Sequence, residues 1–102
     1  MAVQTGIITL TASAQAFHTA LGVSDAYVRM IAVQPEGTNN NPCYIGGSAV
    51  STTTGLRLPA GDAADAPPAP FQLSELFQGQ MALSDLYALG TAAEILRVFW
   101  LE

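Results

Sequence analysis

The stretch Tyr44-Ile45-Gly46-Gly47-Ser48-Ala49-Val50-Ser51-Thr52-Thr53-Thr54-Gly55-Leu56-Arg57-Leu58-Pro59-Ala60-Gly61 decides the fold, because short apolar runs alternate in it with glycines at turn-like intervals. An aromatic-aliphatic pair that runs into two glycines is typical of a strand entering a tight turn, where we expect positive φ angles. Further glycines mark two more reversals, so the chain forms a small β-meander here. The predicted structural turn residues are Gly46, Gly47, Gly55 and Gly61.

Strand patterns continue on both sides of this stretch. Residues 5–11 are rich in β-branched side chains, and residues 26–33 alternate strictly up to a stop at Pro35. We expect further extended pieces at residues 48–53 and 71–73. In the strand over 26–33, the alternation puts Val28, Met30 and Ala32 on one face and Tyr27, Arg29, Ile31 and Val33 on the other.

Two segments have a helical alternative. Residues 12–21, which precede Gly22, suit either a short helix with a glycine C-cap or an extended strand and bend, and we favour the extended form. Residues 84–89 predict one helical turn, with Ser84 or Asp85 as N-cap and Gly90 as its left-handed end.

Seven to nine short strands separated by turn signals predict an all-β fold. Residues 1–102 are expected to form a single-domain β-sandwich or jelly roll with at most one or two short helical turns, since this length suits one core. Residues 62–70 have no periodicity and contain three prolines, so we expect a mobile loop there that acts as a solvated connector rather than a binding arm.

The terminal run over residues 94–101 has no breakers and is apolar on both faces. It predicts a central or interface strand, and an exposed edge there would favour self-association. Only 11% of the residues are charged, so we also expect apolar surface to meet a partner. The candidate interface residues are Ile95, Val98, Phe99, Trp100 and Leu101.

Charge and hydropathy exclude several classes of protein. Lysine is absent, the cations are Arg29, Arg57 and Arg97, and the net charge is -5, which argues against binding to nucleic acid or to an anionic membrane. No run reaches the 18 or more apolar residues that a membrane helix requires. Without a basic and apolar leader pattern, synthesis in a cytoplasm is the default expectation.

The residues suited to catalysis or to metal binding are sparse. His18 has Ser13, Ser24 and Asp25 nearby in sequence, but no nucleophile motif frames them, and the acids are scattered. A lone Cys43 is expected to be a buried apolar residue. We therefore predict no catalytic, cofactor-binding or metal-ligating residues. Four aromatics suit either a sugar platform or a core, and the core is favoured: Tyr27, Tyr44, Phe99 and Trp100.

The chain also resembles small virion proteins of tailed bacteriophages, in particular capsid decoration (cement) proteins. The resemblance covers about residues 28–90. It lies in the strand over residues 31–34, the Asn-rich turn that includes Asn41, Tyr44-Ile45-Gly46, Val50, Gly55, Leu58, Gly61 and Leu86-Tyr87.

This resemblance implies a non-enzymatic protein on the capsid exterior, synthesised in the cytoplasm of a host bacterium. It implies the major capsid protein as partner, a homo-oligomer with the trimer favoured, and no cofactor. A head-tail, tail or fibre component is the structural alternative. The alternative from another class is a carbohydrate-binding module for host recognition, which exposed aromatics would favour.

Overall fold

The computed structural model describes residues 3–61, 70–74 and 81–102 of the chain. In those ranges the chain forms ten strands, a short α-helix and one 3-10 turn at Leu83–Asp85. The helix, α1, spans Phe17–Leu21. The strands are β1 Val3–Thr9, β2 Gln15–Ala16, β3 Tyr27–Val28, β4 Met30–Pro35, β5 Cys43–Gly46, β6 Leu56–Leu58, β7 Phe71–Ser74, β8 Met81–Ala82, β9 Tyr87–Leu89 and β10 Ile95–Leu101.

The strands pair as a nested antiparallel ribbon. β1 pairs with β10, β2 with β9, β3 with β8, β4 with β7 and β5 with β6. Two more pairings, of β10 with β4 and of β9 with β5, join the ribbon into sheets ordered β1-β10-β4-β7 and β2-β9-β5-β6. A folded-over ribbon of this kind is a jelly roll, so the predicted all-β sandwich or jelly-roll class is confirmed.

The core lies between the two four-stranded sheets and follows the two-residue period of the strands. In β10 the side chains of Leu96, Val98 and Trp100 point inward and are buried. Ile31 and Val33 of β4 pack beside them, and the facing sheet contributes buried side chains from β5, β6 and β9. Other members of the core are Ile8, Leu10, Phe17, Val28, Cys43, Ile45, Leu58, Leu83, Leu86 and Ala88.

The terminal strand β10 is central in its sheet, between β1 and β4. The prediction of a central strand is therefore correct. The expectation that this strand leaves an exposed edge is wrong, because its backbone is paired on both sides and the edges of its sheet are β1 and β7. The apolar residues of β10 have different roles on its two faces. Those on one face fill the core, and those on the other lie on the outer surface of the sheet.

The expectation of extended structure over residues 12–21 is wrong for most of that segment. Only β2 is extended, and α1 follows it. The helix ends at Gly22, which has φ 73° and ψ 30°, and the N–H groups of Gly22 and Val23 close the last turn. The glycine C-cap signal therefore decided the structure, and a fully buried Phe17 anchors the helix on the core.

The strand expected over residues 26–33 is interrupted at Arg29, whose N–H donates to the Leu101 carbonyl at 2.8 Å. Val28 is buried before the break, and Ile31 and Val33 are buried after it. The predicted faces are therefore wrong, because one interrupting residue shifts the alternation and moves the buried side chains from even to odd positions.

Two short predictions are also corrected. Residues 48–53 form turns instead of a strand, with Val50 N–H donating to the Gly47 carbonyl at 3.0 Å. The helical turn expected from Ser84 lies one residue earlier, at Leu83–Asp85, and is followed by β9. Gly90 does not end a helix. Most of the predicted loop over 62–70 lies outside the described residues.

The positive φ angles expected at Gly46 and Gly47 are not found. Among the described glycines, Gly22 alone has a positive φ angle. The Val50 side chain lies against Gly46 and Gly55: a Cβ on Gly55 would be 2.5 Å from Val50 Cγ2, which is too close for any side chain, and one on Gly46 would be in a tight contact of 3.1 Å. A Cβ on Gly61 would collide with the Gly37 carbonyl.

Gly47 has neither a positive φ angle nor any atom within 4 Å of a built Cβ, so the expected conformational requirement there is wrong. We predict that Gly55→Ala lowers the free energy of unfolding by about 1–3 kcal/mol, because the new methyl group overpacks Val50 and Tyr44 Cβ. Gly47→Ala is the matched control and changes stability by less than about 0.5 kcal/mol. Urea unfolding measures both, and equal midpoints for the two variants would contradict the close-approach explanation.

Candidate interaction surface

The outer face of the sheet β1-β10-β4-β7 carries apolar side chains in register. Strand pairing places them in cross-strand rows, because residues that pair in an antiparallel sheet point to the same side. The rows are Val3, Leu101 and Met30; Thr5, Phe99, Ala32 and Gln72; and Ile7, Arg97 and Gln34. We call six of these residues the apolar face: Val3, Ile7, Met30, Ala32, Phe99 and Leu101.

The apolar face is open to solvent. Val3 is 60% exposed, Ile7 53% and Phe99 36%. A shallow groove of about 680 Å³ crosses the face between β1, β10 and β4. Large exposed apolar side chains that occur singly are normal on a protein surface, but a contiguous set across three paired strands is typical of an interaction site.

The charge on this face is balanced. Arg97 lies in the row of Ile7, and its Nε donates to Glu36 Oε2 at 2.7 Å. This ion pair is exposed, so it contributes little to stability, but it leaves the face without an uncompensated charge among the described residues. The surface is therefore suited to an apolar, uncharged contact rather than to a charged ligand.

The structure divides the predicted interface residues into two groups. Val98 and Trp100 point into the core and are buried, so their assignment to an interface is wrong. Phe99, Leu101 and Ile95 point to the outer side. The strict alternation of β10 causes this division. Val3, Ile7 and Met30 were missed, although the alternation of Val3, Thr5 and Ile7 in β1 already predicts one shared face.

The outer side of the second sheet has a different character. Tyr44 of β5 and Tyr87 of β9 are partly exposed there, and Arg57 is paired with Tyr44. A depression of about 220 Å³ lies beside Tyr44 and includes Asn41, Thr52, Thr91 and neighbouring residues.

The four aromatics considered as a sugar platform do not lie together. Trp100 is in the core, Phe99 is on the apolar face, and Tyr44 is on the outer side of the opposite sheet. Tyr27 is exposed on the short strand β3. Of these, Tyr44 lies beside the depression that includes Asn41, Thr52 and Thr91, and Phe99 lies in the groove of the apolar face.

The residues near His18 form a structural cluster. The Asp25 carboxylate accepts hydrogen bonds from Ser84 N–H at 2.9 Å and from Ser84 Oγ–H at 2.7 Å. These bonds, with a smaller effect of the nearby His18 charge, lower the pKa of Asp25. The hydroxyl donates to the carboxylate and not to an imidazole, so this arrangement does not activate a serine nucleophile.

The Asp25 contact makes stability depend on pH. Because the folded-state pKa lies below the ordinary value of 3.8, the stabilisation is present above that value and is lost as the pH falls through the folded-state pKa. We predict that Asp25→Asn is less stable than the unmodified protein at neutral pH. The difference should shrink between about pH 5 and pH 2 in thermal unfolding. A difference that stays constant over this range would contradict the assignment.

Other candidate chemistry is limited in the described parts of the chain. Cys43 is buried as predicted, and burial, with a smaller effect of Glu94, raises the pKa of its thiol to about 11, so little reactive thiolate forms at neutral pH. Within residues 3–61, 70–74 and 81–102, no three His, Cys, Asp or Glu side chains group in a way that suits a metal ion. The described helices are all too short to cross a bilayer.

Comparisons of the chain with protein-family models, with curated proteins and with solved structures find no match. The basis for a function is therefore the jelly-roll fold and the chemistry of its two outer surfaces. The groove on the apolar face has a volume of about 680 Å³, and the depression beside Tyr44 has about 220 Å³.

Proposed function

We propose that this protein is a non-enzymatic capsid decoration protein of a tailed bacteriophage. In this role it binds the outside of the head and bridges neighbouring subunits of the major capsid protein. The observation that carries the proposal is the apolar face, which is exposed to solvent and on which the charge of Arg97 is paired with Glu36. The sequence resemblance supplies the class of partner.

The apolar face suits this role because its binding energy comes from burial. Removing apolar surface from water contributes about 25 cal/mol per Å², and an interface of standard size buries about 800 Å² on each partner. A protein that binds only the expanded lattice stabilises that lattice by mass action. The decoration protein therefore acts as a clamp whose site is complete only when the capsid subunits have reached their final positions.

The charge distribution supports an apolar contact over an electrostatic one. Arg97 is already paired with Glu36, Arg57 belongs to the opposite sheet, and Arg29 lies at the break between β3 and β4. Surface charge pairs weaken as salt screens them, whereas apolar contacts do not. We therefore expect binding to capsids to change little between low and moderate salt.

The experiment is a binding assay with purified protein on expanded and unexpanded capsids. We expect the protein to occupy regular lattice positions on expanded capsids, to bind unexpanded shells poorly and to raise the temperature at which expanded capsids open. Electron microscopy of the decorated particle locates the protein. Finding it only at the tail or at one vertex would contradict the proposal and favour the head-tail, tail or fibre alternative.

One observation favours a second candidate function, a carbohydrate-binding module. Tyr44 is partly exposed beside a depression that includes Asn41, Thr52 and Thr91. An aromatic ring next to hydroxyl and amide groups is suited to stacking on a sugar ring and bonding its hydroxyls. Glycan-array binding that is lost in Tyr44→Ala, together with no affinity for capsids, would favour this function over decoration.

A further inference from the structure

Within the described residues, strand β1 pairs with β10 along one edge and has no strand partner along the other. The hydrogen bonds of Leu10, just beyond the end of β1, show which residues of β1 direct their backbone groups to each edge. Leu10 donates its N–H to the Glu94 carbonyl at 2.8 Å, and its carbonyl accepts the Ala93 N–H at 3.1 Å. Because backbone groups alternate in direction along a strand, Gln4, Gly6 and Ile8 also point to β10. The N–H and C=O groups of the odd-numbered residues then point away from β10, to the free edge.

In agreement with this assignment, the Thr9 carbonyl accepts a hydrogen bond at 3.3 Å from Gln15 Nε2, a residue that is not part of β10. In the described parts of the chain, β1 has no strand partner other than β10. The backbones of Val3, Thr5 and Ile7 therefore form an open template for another strand.

This edge lacks the devices that usually prevent strand addition. Natural edge strands carry lysines, prolines, bulges or inward-pointing charges. β1 has the sequence Val-Gln-Thr-Gly-Ile-Ile-Thr with none of these residue types, and its pairing with β10 is regular over all seven residues. A seven-residue edge that is uncharged and free of bulges is suited to pair with another chain.

The side chains of β1 are self-complementary. Val3, Thr5 and Ile7 all lie on the outer side, and their backbone groups all face the free edge. An antiparallel copy centred on Thr5 sets Thr5 opposite Thr5 and Val3 opposite Ile7 in both directions. Both kinds of pair, Thr with Thr and β-branched with β-branched, are favourable cross-strand neighbours.

We propose that two copies of this chain pair edge to edge through β1, antiparallel and centred on Thr5, to form a continuous eight-stranded sheet. Three residue pairs exchange about six backbone hydrogen bonds, two for each pair. The two-fold axis is perpendicular to the sheet, so the two apolar faces lie side by side on the same surface. Leu21 of α1 contacts Gly6 on the inner side of the sheet, opposite to the pairing side chains.

A two-fold pair through one edge closes at two copies. The geometry of β1 thus favours a dimer over the trimer that the sequence resemblance implies. The dimer does not depend on which partner the apolar face binds, and measurements on the purified protein without capsids test it alone.

The test uses opposite charges at the position expected on the two-fold axis. Sedimentation of the unmodified protein at micromolar concentration should give twice the chain mass of 10.6 kDa. Thr5→Lys and Thr5→Glu should each weaken the dimer about tenfold or more, since like charges then lie directly opposite each other. Mixing the two variants in equal amounts should restore a dimer that contains one copy of each.

The control is the same exchange at Thr9, which does not face itself in this register. Thr9→Lys and Thr9→Glu should dimerise alone as well as they do when mixed. Amide hydrogen exchange gives a second readout that needs no variant: the Thr5 and Ile7 amides should be protected in the dimer, at a level near that of Gly6 and Ile8. A monomer, a trimer, rapid exchange at Thr5 and Ile7, or no rescue on mixing would overturn the inference.

Discussion

Phe99→Asp is expected to abolish binding to expanded capsids and to leave the fold intact. Phe99 is at the centre of the apolar face, between Thr5 of β1 and Ala32 of β4. A buried aromatic at the centre of an interface commonly contributes 2 kcal/mol or more, and a carboxylate in its place must also lose its water. We therefore expect the dissociation constant to rise about 100-fold or more, as measured by co-sedimentation with capsids.

Tyr27→Asp is the matched control for this prediction. Tyr27 is an aromatic residue of β3 that is 66% exposed, and β3 pairs with β8 outside the sheet that carries the apolar face. The same change of charge and polarity there should leave capsid binding unchanged. Circular dichroism should show the same β spectrum for both variants. If Tyr27→Asp weakens binding as much as Phe99→Asp does, the contact does not lie on the apolar face.

Trp100→Ala is expected to cause the largest loss of stability. Trp100 is next to Phe99 in the chain, but it points inward and is only 2% exposed. Truncating a buried aromatic to alanine costs about 3–5 kcal/mol, because the transfer energy is lost and a cavity remains. The indole N–H also donates to Glu102 Oε2 at 3.2 Å, and that bond is removed with the ring.

Urea unfolding of Trp100→Ala and Phe99→Ala measures the contrast between the two neighbours. A loss of about 3–5 kcal/mol is a large part of the stability of a small protein, which is about 5–15 kcal/mol. Phe99→Ala should lower the free energy of unfolding much less, since the Phe99 ring is already partly exposed to water. Similar losses in both variants would contradict the assignment of the two faces of β10.

The regular strands were predictable because their patterns are local. The β-branched run of β1, the pair that begins β5 and the apolar run of β10 each have a period or composition that suits a strand. The interruption at Arg29 was not predictable, since its N–H is bonded to Leu101, about 70 residues away in the chain. The strands β2 and β8 have two residues each and leave no period to detect.

The apolar face could be predicted only in part. Alternation alone separates Phe99 and Leu101 from Val98 and Trp100, but it does not say which set faces the core. That choice depends on which strands are neighbours, and here Phe99 meets Thr5 and Ala32 from distant parts of the chain. For the same reason, the glycines near Val50 were recognised as turn residues while their contacts were not.

The pairing of β1 with β10 has a consequence for folding during synthesis. The two strands are roughly 90 residues apart, and translation adds about 5–20 residues each second. β1 therefore emerges from the ribosome several seconds before its hydrogen-bonding partner exists. During that interval both of its edges are unpaired, and the sheet cannot be completed until β10 has emerged. Nascent chains are thus exposed to strand exchange between neighbouring ribosomes on one message.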